Sequence, residues 1–173
     1  GQSVAAGDAL GLVGLSGQTE FPHLHFELRQ SGRVVDPFNG SQDVGACGQS
    51  GRALWRTSVA YRPTGLIAMG FAPTTADRTA AERGEYDAQR LPSSAGVLSV
   101  WLRIYCVQEW DRLSLRVLGP DGSVIVDSRG IPLPRHQVRY FQFAGLRRRA
   151  KAWPEGTYRG QFQLTRGDEV ILR

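Results

Sequence analysis

Val97-Leu98-Ser99-Val100-Trp101-Leu102-Arg103-Ile104-Tyr105-Cys106-Val107 is the stretch whose reading decides the fold. Rich in β-branched and aromatic side chains, it reads as one long strand. The same texture recurs in shorter pieces on both sides. Leu66 to Phe71 reads as a strand before it. Leu113 to Leu118 and Ser123 to Asp127 flank Gly119-Pro120-Asp121-Gly122, whose residues have turn chemistry, and so predict a β-hairpin. Val138 to Phe143 alternates Val, Tyr and Phe with polar partners. Thr157 to Thr165, a Gly167-Asp168 turn and Val170 to Leu172 close with another hairpin. Ala76 to Glu85 alone has helix-forming composition and predicts one short helix. Strands at this spacing, with almost no helix, predict an all-β fold, an immunoglobulin-like antiparallel β-sandwich over residues 54–173.

Upstream the texture changes. Residues 41–53 are small and polar, and read as a linker. In residues 1–40, Gly7, Gly11, Gly14 and Gly17 punctuate apolar pieces such as Ala9-Leu10 and Leu12-Val13. Spacings this short leave no room for a helix and predict tight hairpins and strands. Gln30-Ser31-Gly32-Arg33 reads as a turn, and Val34-Val35-Asp36-Pro37 as an extended piece that Pro37 ends.

Phe21-Pro22-His23-Leu24-His25-Phe26-Glu27-Leu28 carries two of the three histidines in the 173 residues. Read as a strand, it places His23, His25 and Glu27 on one face and Leu24, Phe26 and Leu28 on the other. Imidazole is both the commonest metal ligand and the usual general base near neutral pH. His-x-His alone is a weak motif, equally served by a half-exposed strand that happens to carry two histidines.

Composition excludes little. Hydrophobic content of 41% with 21% charged residues is ordinary for a globular protein. No apolar run approaches the ~20 residues that span a bilayer, and no signal-peptide pattern is visible. The net charge of +5 favours anionic partners. Arg147-Arg148-Arg149-Ala150-Lys151, the densest basic run, reads as a solvated loop or strand end, and no nucleic-acid-binding signature accompanies it. Cys47 and Cys106 lie far apart without a Cys-x-x-Cys pair, so one disulfide and two buried thiols both stay open.

Together, the glycine run Val4 to Gly17, then Pro22-His23-Leu24-His25-Phe26-Glu27, then Val35-Asp36-Pro37, resemble the C-terminal half of the lysostaphin-type (LytM-like) zinc peptidase domain. That family carries a V-x-x-G-x-x-[LI]-G-x-V-G-x-[ST]-G run, a P-H-[LV]-H-F-E strand and a trailing V-D-P in this order. The resemblance covers residues 1 to about 38. It implies zinc-dependent hydrolysis of peptidoglycan peptide cross-links in the cell envelope, periplasmic or secreted. By the same resemblance His25 is a zinc ligand and His23 the catalytic histidine that handles the proton of the metal-bound water. Zinc lowers the pKa of such a water towards 7 and polarises the scissile carbonyl. Glu27 is either a carboxylate tuning a histidine or a surface residue, and Asp36 most simply a turn residue. The glycines would shape one wall of a groove for small, glycine- or alanine-rich peptides. Biotinyl and lipoyl carrier hairpins share V-x-x-G-D-x-[LI], but the carrier lysine hairpin is absent.

Two departures matter. The family's Thr-Gly before the proline is Glu20-Phe21 here. Its other two zinc ligands, a histidine and an aspartate four residues apart, lie upstream of the glycine run, as does another active-site histidine. None of these maps onto this sequence, and His136 has no ligand spacing. The resemblance therefore implies a fragment of the peptidase domain, inactive alone. The alternative is a non-catalytic envelope module that binds the wall or activates another wall hydrolase. Trp55, Trp110 and Trp153 are then either glycan-stacking residues or core anchors, and the basic surface a site for anionic wall polymers. An envelope location would also favour a Cys47–Cys106 disulfide stapling linker to sandwich.

Overall fold

The computed structural model describes all residues except 1, 15, 20, 21, 43–50 and 58. The chain divides into two compact units, Gly1–Tyr61 and Arg62–Arg173. The first contains one hairpin, β1 (Leu28–Gln30) and β2 (Arg33–Val35), paired with Gln30 opposite Arg33. Its loop is Ser31-Gly32, with φ of 50° and 79°. Two successive positive φ values are what a two-residue type I′ turn requires, and its twist matches the strands it joins.

No other strand occurs among the described residues before Leu28, which corrects two expectations. Around Gly7 the chain makes a turn rather than a hairpin, closed by the Asp8 N–H on the Ala5 carbonyl and the Ala5 N–H on the Asp8 carboxylate. The His-x-His stretch is not a strand either: residues 22–27 have no ladder partner among the described residues, and strand pairing begins only at Leu28. An alternating pattern sets which side chains share a face; it does not supply the neighbour whose backbone completes the ladder.

The second unit is β throughout, apart from one turn and a half of helix. Its strands are β3 (Gly65–Ala72), β4 (Val97–Val107), β5 (Arg112–Leu118), β6 (Val124–Arg129), β7 (Gln137–Arg147), β8 (Arg159–Arg166) and β9 (Glu169–Leu172). They form two antiparallel sheets, β3-β4-β7 and β6-β5-β8-β9. In immunoglobulin constant domains the fourth strand pairs with the fifth. Here the fourth strand of the unit, β6, pairs with the third, β5, so it has changed sheets.

Alternation along β4 explains the layering. Leu98, Val100, Leu102 and Ile104 point inward and join Leu113, Leu115 and Val117 of β5 and Leu164 of β8 in one core. Trp101, Arg103 and Tyr105 fall on the outer face. There the helix α1 (Arg78–Glu82) and its flanks cover the sheet, with Ala72, Ala76, Ala81 and Trp101 buried together and Tyr86 and Phe141 packed on them. Asp77 caps α1 by accepting from the Ala80 N–H at 3.0 Å. Glu82 pairs with Arg103 at 3.3 Å and Arg139 at 3.9 Å, so the cations of this face are met by a carboxylate from the helix laid over it. Gly145 is opposite Ser99, and a Cβ there would stand 2.6 Å from the Ser99 hydroxyl, so only glycine allows the strands to meet.

One polar knot closes an end of the sandwich. Asp111, fully buried, accepts from the Gln108 N–H and takes a two-pronged bond from Arg166 at 2.8 and 3.1 Å. Arg166 also donates to Thr64, whose hydroxyl donates to the Cys106 carbonyl. The bond to Asp111 holds the guanidinium pKa above its ordinary value.

The edge strand β3, Gly65-Leu66-Ile67-Ala68-Met69-Gly70-Phe71-Ala72, contains no charged residue and no proline, and its pairing with β4 slips at Ile67. Among the described residues no helix is long and apolar enough to cross a membrane.

Candidate functional site

The candidate site lies in the first unit, on the segment that leads into β1. His23 and His25 are both exposed. His23 shares a 3.1 Å hydrogen bond between its Nδ1 and the Thr19 hydroxyl. Thr19 is a residue that the sequence reading missed, because it attended to Glu20-Phe21, which lie outside the described residues. A polar residue four positions before the first histidine was the available signal. Glu27 is engaged by Arg29 at 2.6 Å, both side chains well exposed, as suits a surface carboxylate.

The site is braced from its C-terminal side. Asp36 makes the turn expected of it: its carboxylate accepts from the Phe38 N–H at 2.8 Å and its carbonyl from the Gly40 N–H at 2.7 Å. Residues 51–61 return to this unit. The Leu54 N–H bonds the Pro37 carbonyl at 2.9 Å, and Trp55 packs against Phe26 and Phe38 with ring centroids 5.7 and 5.8 Å apart. Tyr61 meets Phe38 edge-on at 5.5 Å. Trp55 is thus a partner of the residue that follows His25, a role spacing alone does not reveal. Its indole Nε1 is buried without a hydrogen-bond partner among the described residues. Leu24 and Phe26, the expected apolar back of the strand, are 77% and 57% exposed.

The other tryptophans divide. Trp153 is an anchor, donating from Nε1 to the Ala95 carbonyl at 2.8 Å beside the core. Trp110 is 68% exposed on a backbone with φ of 70°. His136 is an exposed surface residue. Cys106 is an exposed free thiol, and Cys47, the partner expected for it, lies outside the described residues.

A catalytic zinc takes three protein ligands and keeps a fourth position open. Among the described residues no three His, Cys, Asp or Glu side chains come together in such a group. His23, His25 and Glu27 sit in one short exposed run, and Glu27 is spent on Arg29. These residues by themselves do not fit a zinc site.

Residues 1–37 match the family model of Peptidase family M23. The match spans the glycine run, both histidines and the Val-Asp-Pro turn, and it supports a peptidase-related function for this part of the chain. No solved structure matches the chain.

Proposed function

We propose that residues 1–38 are the His-x-His half of an M23-type zinc endopeptidase that hydrolyses the peptide cross-links of peptidoglycan in the cell envelope, periplasmic or secreted. His25 is the metal ligand of this half and His23 the catalytic histidine, its Nδ1 tied to Thr19. The observation that carries the reading is the M23 match over residues 1–37, which takes in three motif pieces in order. Because one mapped ligand does not make a site, and the family's other ligands map nowhere on this sequence, this reading takes them from a longer parent chain. Residues 1–173 alone are then inactive.

The test compares zinc content and wall hydrolysis. The 173-residue chain is expected to hold well under one equivalent of zinc after dialysis and to release no peptides from purified wall. In a parent chain carrying a His-x-x-x-Asp pair, His25→Ala should remove both zinc and activity, and His23→Ala should keep the zinc and lose the activity. Tightly bound equimolar zinc in the 173-residue chain would overturn the ligand count.

A second reading has its own support. The absence of a three-ligand group among the described residues also suits a non-catalytic envelope module that binds the wall or activates another wall hydrolase. Under this second reading the second unit serves as the wall-binding module.

A further inference from the structure

Charge is divided unequally along the chain. Residues 62–173 hold 17 of the 21 basic and 11 of the 16 acidic residues, for a net +6, while residues 1–61 carry a net −1. Within the second unit the two sheets treat their cations differently. On the outer face of β3-β4-β7, Arg103 and Arg139 are met by Glu82 from α1. Within the second unit the outer face of β6-β5-β8-β9 has no helix laid over it.

Alternation fixes what that second face shows. Leu113, Leu115 and Val117 of β5 point into the core, so Arg112, Ser114 and Arg116 point out. The register places Arg129 and Gln163 on either side of Ser114, Asp127 and Gln161 on either side of Arg116, and Arg159 beside Leu118. Arg112, Arg116, Arg129, Arg159, Gln161 and Gln163 are all exposed. Asp127 is the single acid among these outward positions, and Arg116 engages it at 3.3 Å. Arg112, Arg129 and Arg159 have no ion-pair partner among the described residues. A hollow of about 620 Å³ on this face is lined by Ser114, Arg116, Asp127, Arg129, Gln161 and Gln163, among others.

We propose that this outward face of the four-stranded sheet binds an anionic, hydroxyl-rich polymer: its arginines hold the repeated anionic groups, and Ser114, Gln161 and Gln163 hydrogen-bond the hydroxyls between them. Guanidinium groups suit phosphate and carboxylate oxygens because their planar donors match two oxygens at once. Carboxamides and hydroxyls donate and accept together, which suits a polyol. Successive outward residues on a strand stand about 6.6–6.8 Å apart and neighbouring strands about 4.8 Å, so the face offers an array of contacts instead of one pocket. Phe, Tyr and Trp are absent from the outward positions of β5, β6 and β8, and Phe162, which also lines the hollow, packs against the core, so no outward ring is offered for nucleic-acid bases to stack on. The inference rests on the reading of the second unit as a wall-binding module and is independent of the histidine chemistry.

The probe is poly(glycerol phosphate), with polyglutamate and an oligothymidylate as controls, titrated into the full 173-residue chain at several salt concentrations. The triple variant Arg112→Gln, Arg116→Gln, Arg129→Gln should weaken binding by about tenfold or more and flatten the slope of log affinity against log salt by about two to three, one per lost ionic contact. Arg147→Gln, Arg149→Gln, Lys151→Gln should change affinity less than about twofold, since exposed charges outside the contact act only through a screened field. Amide shift changes in the unmodified chain should fall on β5, β6 and β8, which guards against a misfolded variant. The proposal is overturned if the loop variant loses binding while the face variant keeps it, or if the shifts map elsewhere. It also falls if oligothymidylate or polyglutamate binds more tightly than poly(glycerol phosphate). Pull-down with whole wall separates the two readings: undiminished wall binding by the face variant sinks the face alone, and no wall binding by the unmodified chain sinks the module reading with it.

Discussion

Among the described residues the second unit buries fifteen apolar side chains and the first buries one, Val35. The first unit is nearly as rich in apolar residues: it carries Leu10, Leu12 and Leu24 at 82%, 101% and 77% exposure. What it lacks is something to bury them against. A two-stranded hairpin is marginal alone, whereas two facing sheets close a core. Among the described residues, the unit with the recognisable chemistry is therefore the one without a core, and the unit with the core has no catalytic constellation. Motif and stability belong to different parts of this chain.

That contrast is open to measurement. The largest separation is expected in amide hydrogen exchange. Leu102 and Ile104 should exchange only through global opening, and the β1–β2 amides about a thousandfold faster or more, given a few kcal/mol of difference in opening free energy. Comparable protection in both would mean that the first unit has support not apparent in its packing. Next in size, Leu102→Ala, at a fully buried position, should cost about 2–5 kcal/mol in denaturant unfolding. Leu12→Ala should stay within about 0.5 kcal/mol, and a larger loss there would break the comparison.

Asp111→Ala strands the Gln108 N–H and the Arg166 guanidinium and should cost about 2–3 kcal/mol; Arg166 is partly exposed, so a fully buried pair would cost more. A smaller effect concerns alkaline pH. Burial raises the Tyr140 pKa above its ordinary 10.0, and Tyr158 shifts the same way through burial and nearby Asp121. Both rings are neutral in folded and unfolded chains below about pH 10. Above it the unfolded chain ionises first, so stability falls as pH rises through the raised folded value. Tyr140→Phe should make that alkaline decline shallower in thermal unfolding, and an unchanged decline would assign it elsewhere. Smallest of all, His25→Ala, at an exposed position, should leave stability within about 0.5 kcal/mol.

The sandwich was legible because its signal is local. Val97–Val107 reads as a strand and is one, end to end, and the other six strands of this unit begin and end within four residues of their expected bounds. What stayed hidden is non-local. Asp111 and Arg166 stand 55 residues apart, and neither carries a pattern that announces the other. Trp55 was read as part of the sandwich, yet its ring lies on Phe26 and Phe38. The histidine segment shows the same limit from the other side. Its period of two is plain, yet a strand is a relation between two segments, and alternation describes only one. The glycine run and Val35-Asp36-Pro37 carried family information, and the match over residues 1–37 recovers it without any reference to packing.

The uncharged rim of the sandwich has a practical side. Sheet edges are ordinarily protected by charges, prolines or bulges. The outer strands β6 and β7 carry arginines and β9 is only four residues long, while Gly65–Ala72 relies on the slip at Ile67 alone. Deleting Ile67 would straighten that rim into a continuous row of open donors and acceptors, and neighbouring molecules would then join sheets there as concentration rises. One irregular residue is thus this edge's guard against sheet-to-sheet pairing.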